Sequence, residues 1–265
     1  MIVKCDNSWG KRIEEFIGND YPACLYLFLD YKEYGFEVDY VTIWVQIDRD
    51  EQISCVVLKY HTGMHIYSKT LQFNADEIIQ LFKEESPDMI CGRGNIINYL
   101  AQKDEMSAYE SEYGYIGRCE YVKVPSTCRV EKAEKSDFPK IAQLLYMDEG
   151  IGASYDLDEL GNQMYQRNSQ GFVRNYILKK RGEPVCHVCT GAEFGQLAIV
   201  SGVVTHQASR GLGYASSLLS YLCKELLEEG KEVYTVYYTK EARKLHHKVG
   251  FADYCNYGKL YIKNH

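Results

Sequence analysis

The chain has 265 residues, 46% of them hydrophobic and 25% charged, with a formal net charge of −7. That composition is of a soluble globular protein, long enough for one large domain or two ordinary ones. With no long basic run, nucleic-acid binding is disfavoured as a main role, and no apolar stretch of ~18 residues offers a membrane span. The first residues carry no long apolar region, so no secretory leader is expected and the location is read as cytoplasmic. The 10 cysteines, irregularly spaced, are expected as free and mostly buried thiols.

In chain order, Arg12 to Ile17 reads as a short helix after a strand-like start. Leu25 to Tyr31 is apolar and aromatic, and its periodicity does not choose between strand and helix. Val41 to Ile47 is a strand by its β-branched and aromatic content, Asp48 to Glu51 a polar turn, and Ile53 to His61 the returning strand. Met64 to Lys69 suggests a further short strand. Asn74 with Glu77 three residues on forms a capping-box arrangement opening a helix to about Lys83. A second helix is expected over Gly94 to Gln102. Cys91-Gly92-Arg93-Gly94 reads as a turn. His61 and His65 would suit a metal only on a helix, and their surroundings read as strand and turn.

Val124-Pro125-Ser126-Thr127 interrupts the pattern, because Pro125 lacks a donor and restricts its predecessor. A domain boundary is placed there, giving domains 1–126 and 127–265. Cys128 to Ala133 then reads as an edge strand. Lys135 to Pro139 opens a helix with Ser136 or Asp137 as cap, ending near Asp148. Asp156 with Glu159 caps a second helix running to about Gln170. Val173 to Lys179 and Val185 to Thr190 form a hairpin, and Gln196 to Thr205 is the next strand. Cys186-His187-Val188-Cys189 reads as part of a packed strand rather than a zinc half-site, since no second ligand pair matches it.

After Thr205 the chain turns polar, passes through Arg210-Gly211-Leu212-Gly213 and becomes helical, with Ala215, Leu218, Leu219, Leu222 and Leu226 on one face. A strand thus feeds a glycine-bearing loop that opens a helix. Unpaired N–H groups and the helix dipole suit a pyrophosphate there, and glycines let it approach the backbone. Val233 to Tyr238 is a buried strand, Lys240 to Val249 a short helix, and Phe251 to Ile262 a closing strand or hairpin.

Arg210, Gly213 and Ala215 meet the spacing of motif A of the GCN5-related N-acetyltransferase (GNAT) superfamily. Ala242, Leu245, Gly250 and Phe251 resemble its motif B. The second half is thus identified as resembling a GNAT domain, of mixed α+β fold. The smaller α+β first half shares an order of elements that would make it a degenerate second copy in a tandem arrangement, without a motif A.

The resemblance implies acetyl-CoA as cosubstrate, no metal, and direct transfer of an acetyl group to a primary amine. The pyrophosphate would lie on Arg210, Gly211, Leu212, Gly213, Tyr214, Ala215 and Ser216. The pantetheine arm would lie between two splayed strands and bond main-chain groups of Val203 and Thr205, with Val204 between them. His246 stands where many members carry a tyrosine that protonates the departing thiolate, and a histidine can do that work, with a space-filling substitution as the plain alternative. Glu193 is a candidate general base, with a solvated loop carboxylate as the plain alternative. Tyr214 and Tyr257 are candidates for lining the site, with packing as the plainer role. The acceptor stays open among small amines, amino acids, antibiotics and protein amines, and a homodimer would fit the family. The other reading is a non-catalytic acyl-CoA-binding sensor or interaction module. A dinucleotide enzyme is disfavoured, since Ser216 replaces the third fingerprint glycine and too little chain follows.

Overall fold

The computed structural model describes residues 1–148, 157–169, 171 and 173–262. Two compact units share the chain: Met1–Ile116 with the residues from Tyr254 onward, and Gly117–Asp253. Sequence placed the division later, at 126/127, and kept the C-terminal strand with the second half.

In the first unit β1 (Ile2–Lys4), α1 (Gly10–Ile17), α2 (Leu25–Tyr34), β2 (Val41–Ile47), β3 (Ile53–Tyr60) and β4 (Gly63–Tyr67) are followed by α3 (Ala75–Glu85), β5 (Met89–Arg93), α4 (Gly94–Ala101) and β6 (Tyr109–Cys119). β1 to β4 are antiparallel in succession, and α3 crosses over to set β5 parallel to β4. Strand alternation divides the core between two faces. Cys55 and Val57 of β3 meet Ile78, Phe82 and Ile97 of α3 and α4. Val56 and Leu58 meet Ile13, Ile17 and Leu27 of α1 and α2. Helix wins over strand at Leu25–Tyr34, where Leu27 and Tyr31 are buried a turn apart.

The second unit repeats the order. β7 (Glu131–Lys132), α5 (Phe138–Tyr146), α6 (Leu157–Ser169), β8 (Asn175–Lys180), β9 (Glu183–Phe194) and β10 (Leu197–Thr205) precede α7 (Tyr214–Glu228), β11 (Glu232–Tyr237), α8 (Lys240–Val249) and β12 (Phe251–Ile262). β7 to β10 are again antiparallel in succession, and β11 is parallel to β10. Cys186 and Val188 of β9 pack with Leu218, Leu222 and Leu226 of α7. Ile177 and Val204 pack with Phe138, Ile141 and Leu160 of α5 and α6.

Several expectations are corrected. The expected turn at Cys91–Gly94 is the end of β5 and the start of α4. Gly92 serves strand contact, since a Cβ there would lie 2.7 Å from the Ile66 carbonyl oxygen. β6 was missed because glutamates and glycines among its tyrosines hide any apolar alternation. The edge strand at Cys128–Ala133 shrinks to Glu131–Lys132, and the backbone N–H groups of Thr127 and Cys128 donate to Ser217 Oγ instead, at 2.8 and 2.9 Å. Before α5, Glu134 and Asp137 form a reciprocal capping box, in place of Ser136. The Asp156–Glu159 capping arrangement lies outside the described residues. β12 is one strand, whose later part pairs with β5 from Tyr257–Arg93 to Tyr261–Met89, so its residues from Tyr254 on belong to the first unit and only Phe251 to Asp253 to the second.

Candidate active site

The parallel pair of the second unit opens into a fork. β10 and β11 pair from Leu197–Glu232 to Val200–Thr235. Beyond that point Ser201 to Thr205 of β10 have no partner on β11. On its other side, β10 slips register against β9 between Ser201 and Val204. Gly202 sits in this bulge with φ of 59°, a conformation that glycine adopts without strain. A Cβ there would also lie 2.8 Å from Cys189 Sγ.

The glycine loop leaves the end of β10. Arg210 is held by two contacts, Nε donating to the Thr205 carbonyl at 3.1 Å and Nη2 meeting Asp148 Oδ2 at 3.3 Å. Gly211 and Gly213 have φ of 78° and 81°. Gly213 caps α7 without a side-chain hydrogen bond, and the first turn holds no acidic residue. The first intrahelical bond runs from Ser217 N to Gly213 O at 3.0 Å. Among the described residues, the N–H groups of Tyr214, Ala215 and Ser216 have no acceptor within the chain. An uncapped, carboxylate-free helix start with two glycines before it can receive an anion. Leu212 is exposed at the loop tip, while Tyr214 and Ala215 pack partly against the α7 core.

At the vertex of the fork, on the α7–α8 side, Thr235 Oγ1 stands 3.0 Å from the Val200 carbonyl and 3.5 Å from His246 Nε2. His246 is buried, and burial pushes its pKa down to about 4, so the ring is neutral near pH 7. Nδ1 lies 2.7 Å from the Ala242 carbonyl, which only accepts, so Nδ1 carries the proton and Nε2 is bare. In that form His246 is an acceptor at the fork. Acting as the acid requires charging the ring, which burial opposes.

Glu193 is placed elsewhere. Oε1 accepts from Arg174 Nε at 2.9 Å and from the Thr190 hydroxyl at 3.0 Å, while Oε2 meets Arg174 Nη2 at 2.9 Å and Lys231 Nζ at 3.5 Å. The same Arg174 binds Glu225 in the last turn of α7 and Glu229 just past its end, opposite the glycine loop. The arrangement braces β8, β9 and α7. Tyr257 is buried in the first unit, paired across from Arg93.

Other singled-out residues find structural places. His61 sits at the β3–β4 turn, stacked on Tyr40, and His65 is half-buried, stacked on Tyr26 with its Nε2 3.7 Å from Asp30 Oδ2. Among the described residues no three His, Cys, Asp or Glu side chains gather to hold a metal. Sequence reasoning passed over the Gly202 bulge and the vertex Thr235. An isolated glycine inside a strand pattern was the available signal for the first. Thr235 carries no such signal.

The second unit thus combines a mixed α/β order, a forked parallel pair and an open glycine loop at a helix start. Residues 132–251 match the family described as Acetyltransferase (GNAT) family, and this stretch of the chain is a GNAT domain. Among curated proteins no sequence relative is found. Solved structures similar to the chain include a GCN5-related N-acetyltransferase from Sphaerobacter thermophilus, at 13% identity and TM-score 0.68, covering 100% of this chain and 96% of that one. A GNAT-family acetyltransferase from Colwellia psychrerythraea matches at 10% identity and TM-score 0.59, covering 99% and 100%. A GCN5-related N-acetyltransferase-like protein from Streptococcus suis matches at 12% and 0.61, covering 97% and 99%. At such identities the likeness is one of fold, and it extends over the N-terminal half as well. No helix among the described residues is long and apolar enough to cross a membrane.

Proposed function

We propose that the protein is an acetyl-CoA-dependent N-acetyltransferase that moves an acetyl group to a primary amine by direct attack. The observation that carries this reading is the fork between β10 and β11, continued by the Arg210–Gly213 loop into the uncapped start of α7. The pyrophosphate lies on the N–H groups of Gly211 to Ser216, with Arg210 beside it. The pantetheine arm lies along Val203 to Thr205, whose strand groups find amide partners there. A strand N–H polarises the thioester oxygen. The amine lone pair attacks the carbonyl carbon, the C–S bond breaks, coenzyme A leaves as the thiolate, and the amine proton passes to water. Neither Glu193, held by Arg174, nor neutral His246 is needed as a charged partner in this sequence.

The neutral His246 favours one second reading, a non-catalytic acyl-CoA-binding module that lacks an acid for the thiolate. A thermal melt with acetyl-CoA, CoA and NAD in parallel tests the coenzyme site. A ligand at 100 times its Kd stabilises by about 2.7 kcal/mol, a shift of roughly 5–10 °C for a chain of this length. Acetyl-CoA and CoA are expected to raise Tm and NAD to leave it unchanged. No rise with either coenzyme sinks both readings. Release of free thiol from acetyl-CoA over a panel of primary amines then separates enzyme from binding module.

A further inference from the structure

The Gly202 bulge is held from the α5–α6 side by a buried polar chain. His187 of β9 is fully buried, and its Nδ1 lies 2.8 Å from the Gly202 carbonyl oxygen. Its Nε2 lies 2.9 Å from the carboxamide of Asn175 on β8, which is buried too. The Asn175 carboxamide lies 3.0 Å from that of Asn168 on α6. A carbonyl only accepts, so Nδ1 carries the proton and donates to Gly202. The neutral ring then leaves Nε2 bare. As placed, Asn175 Oδ1 faces Nε2 and Asn175 Nδ2 faces Asn168 Oδ1; the bare Nε2 needs a donor, so both carboxamides take the half-turn, the Asn175 NH2 donating to Nε2 and the Asn168 NH2 to the Asn175 oxygen.

The consequence lies in the next peptide. Among the described residues no peptide bond is cis, and in a trans peptide the C=O and the following N–H point in opposite directions. With the Gly202 oxygen fixed on His187, the Val203 N–H is turned the other way. Gly202 and Val203 fall in the register shift of β10 against β9 and have no Cα partner there. The side chain of His187 holds this peptide by the Gly202 oxygen. Gly202 admits the contact, because a Cβ there would lie 3.2 Å from His187 Cε1.

We propose that His187, backed by Asn175 and Asn168, is a positioning residue that aims the Val203 N–H at the carbonyl oxygen of the bound acyl thioester. The assignment rests on the acyl-CoA reading of the fork. It makes a buried histidine remote from the motif loops a determinant of thioester polarisation, and it ties α6 to the strand that polarises. Neither motif A nor motif B contains these residues.

The test needs no acceptor. Acetyl-CoA labelled with 13C at the thioester carbonyl is bound to the full chain, and its carbonyl resonance is compared with that of the free ligand. Wild type is expected to shift the resonance downfield. His187→Leu is expected to bind CoA, which lacks the acyl group, within about twofold of wild type, yet to lose most of that carbonyl shift. His187→Gln, which keeps an N–H donor, restores part of it. If His187→Leu does not fold, Asn175→Ala keeps the imidazole, removes its support, and is expected to reduce the shift in the same way. A wild-type carbonyl shift retained in the folded variant overturns the role of His187. Wild type that fails to bind acetyl-CoA overturns the acyl-CoA reading itself, and binding without a carbonyl shift overturns polarisation at Val203 alone.

Discussion

β4 stops where β10 goes on. In the first unit β4 pairs with β5 from Gly63–Met89 to Ile66–Gly92, and only Tyr67 extends past the last pair. There the Tyr67 hydroxyl donates to Asp20 Oδ2 at 2.7 Å, and Arg93 Nη1 meets the same oxygen at 3.2 Å. In the second unit the equivalent strands part after Val200–Thr235. The helix starts differ in the same sense. Asn74 caps α3 with its side chain accepting from Asp76 and Glu77 N–H groups, and those two residues bring carboxylates into the first turn. Gly213 offers α7 no cap and no carboxylate. One topology therefore carries one closed pair with an anion-repelling helix start and one open fork with an anion-receiving start. Side chains at two points, the end of the parallel pair and the first turn of the crossover helix, decide which.

Acid is expected to have the largest effect, and it acts on both units. His65 in the first unit and His187 and His246 in the second are each held at about 4 by burial, against roughly 6.5 in an unfolded chain. Between these values the unfolded state binds more protons, so stability is fully present above pH 6.5 and is lost as pH falls toward 4. The slope is about 1.4 kcal/mol per pH unit for each ring. Urea midpoints measured from pH 7.5 to 4.5 check this. Replacing any one of the three rings by leucine is expected to flatten the profile by one proton, and an unchanged slope would count against its burial as a neutral ring.

Giving α7 the character of α3 comes next. Leu212→Asp places a carboxylate at the exposed loop tip and is expected to weaken CoA binding at least about tenfold, or 1.4 kcal/mol. Its melting temperature without ligand stays near wild type. Calorimetric titration reads the affinity, and wild-type affinity in the variant would remove the pyrophosphate from this loop.

The smallest expected change probes the closed unit. Asn74→Ala removes the α3 cap and costs about 1 kcal/mol of stability, seen by urea titration. CoA affinity is expected to stay the same, because the loop proposed to take the pyrophosphate, Arg210 to Ser216, belongs to the second unit. A drop in affinity would bring the first unit into coenzyme binding and break the contrast between the two.

The elements that frame the candidate site were legible because their signals are local. The Arg210–Gly213 loop, the helix after it and the buried strands around it follow from spacing, glycine and apolar periodicity. The roles of Glu193 and His246 were not, because each depends on a partner distant in sequence. Arg174 turns Glu193 into a brace, and the Ala242 carbonyl together with burial fixes His246 as a bare acceptor. His187 read as one member of a packed strand, and a buried histidine has no sequence signature that reveals what its ring nitrogens touch.

The sequence by itself determined the secondary elements that carry strong periodicity and the loop that leads into α7, because hydrophobic pattern and glycine chemistry act over a few residues. Tertiary structure alone decided that β12 pairs with β5, that β10 outruns β11, and that Gly202 turns its peptide onto His187. Each of these depends on strand pairing and on buried polar contacts between segments far apart in the chain, where register is set by packing and by the cost of leaving a buried donor or acceptor unmatched.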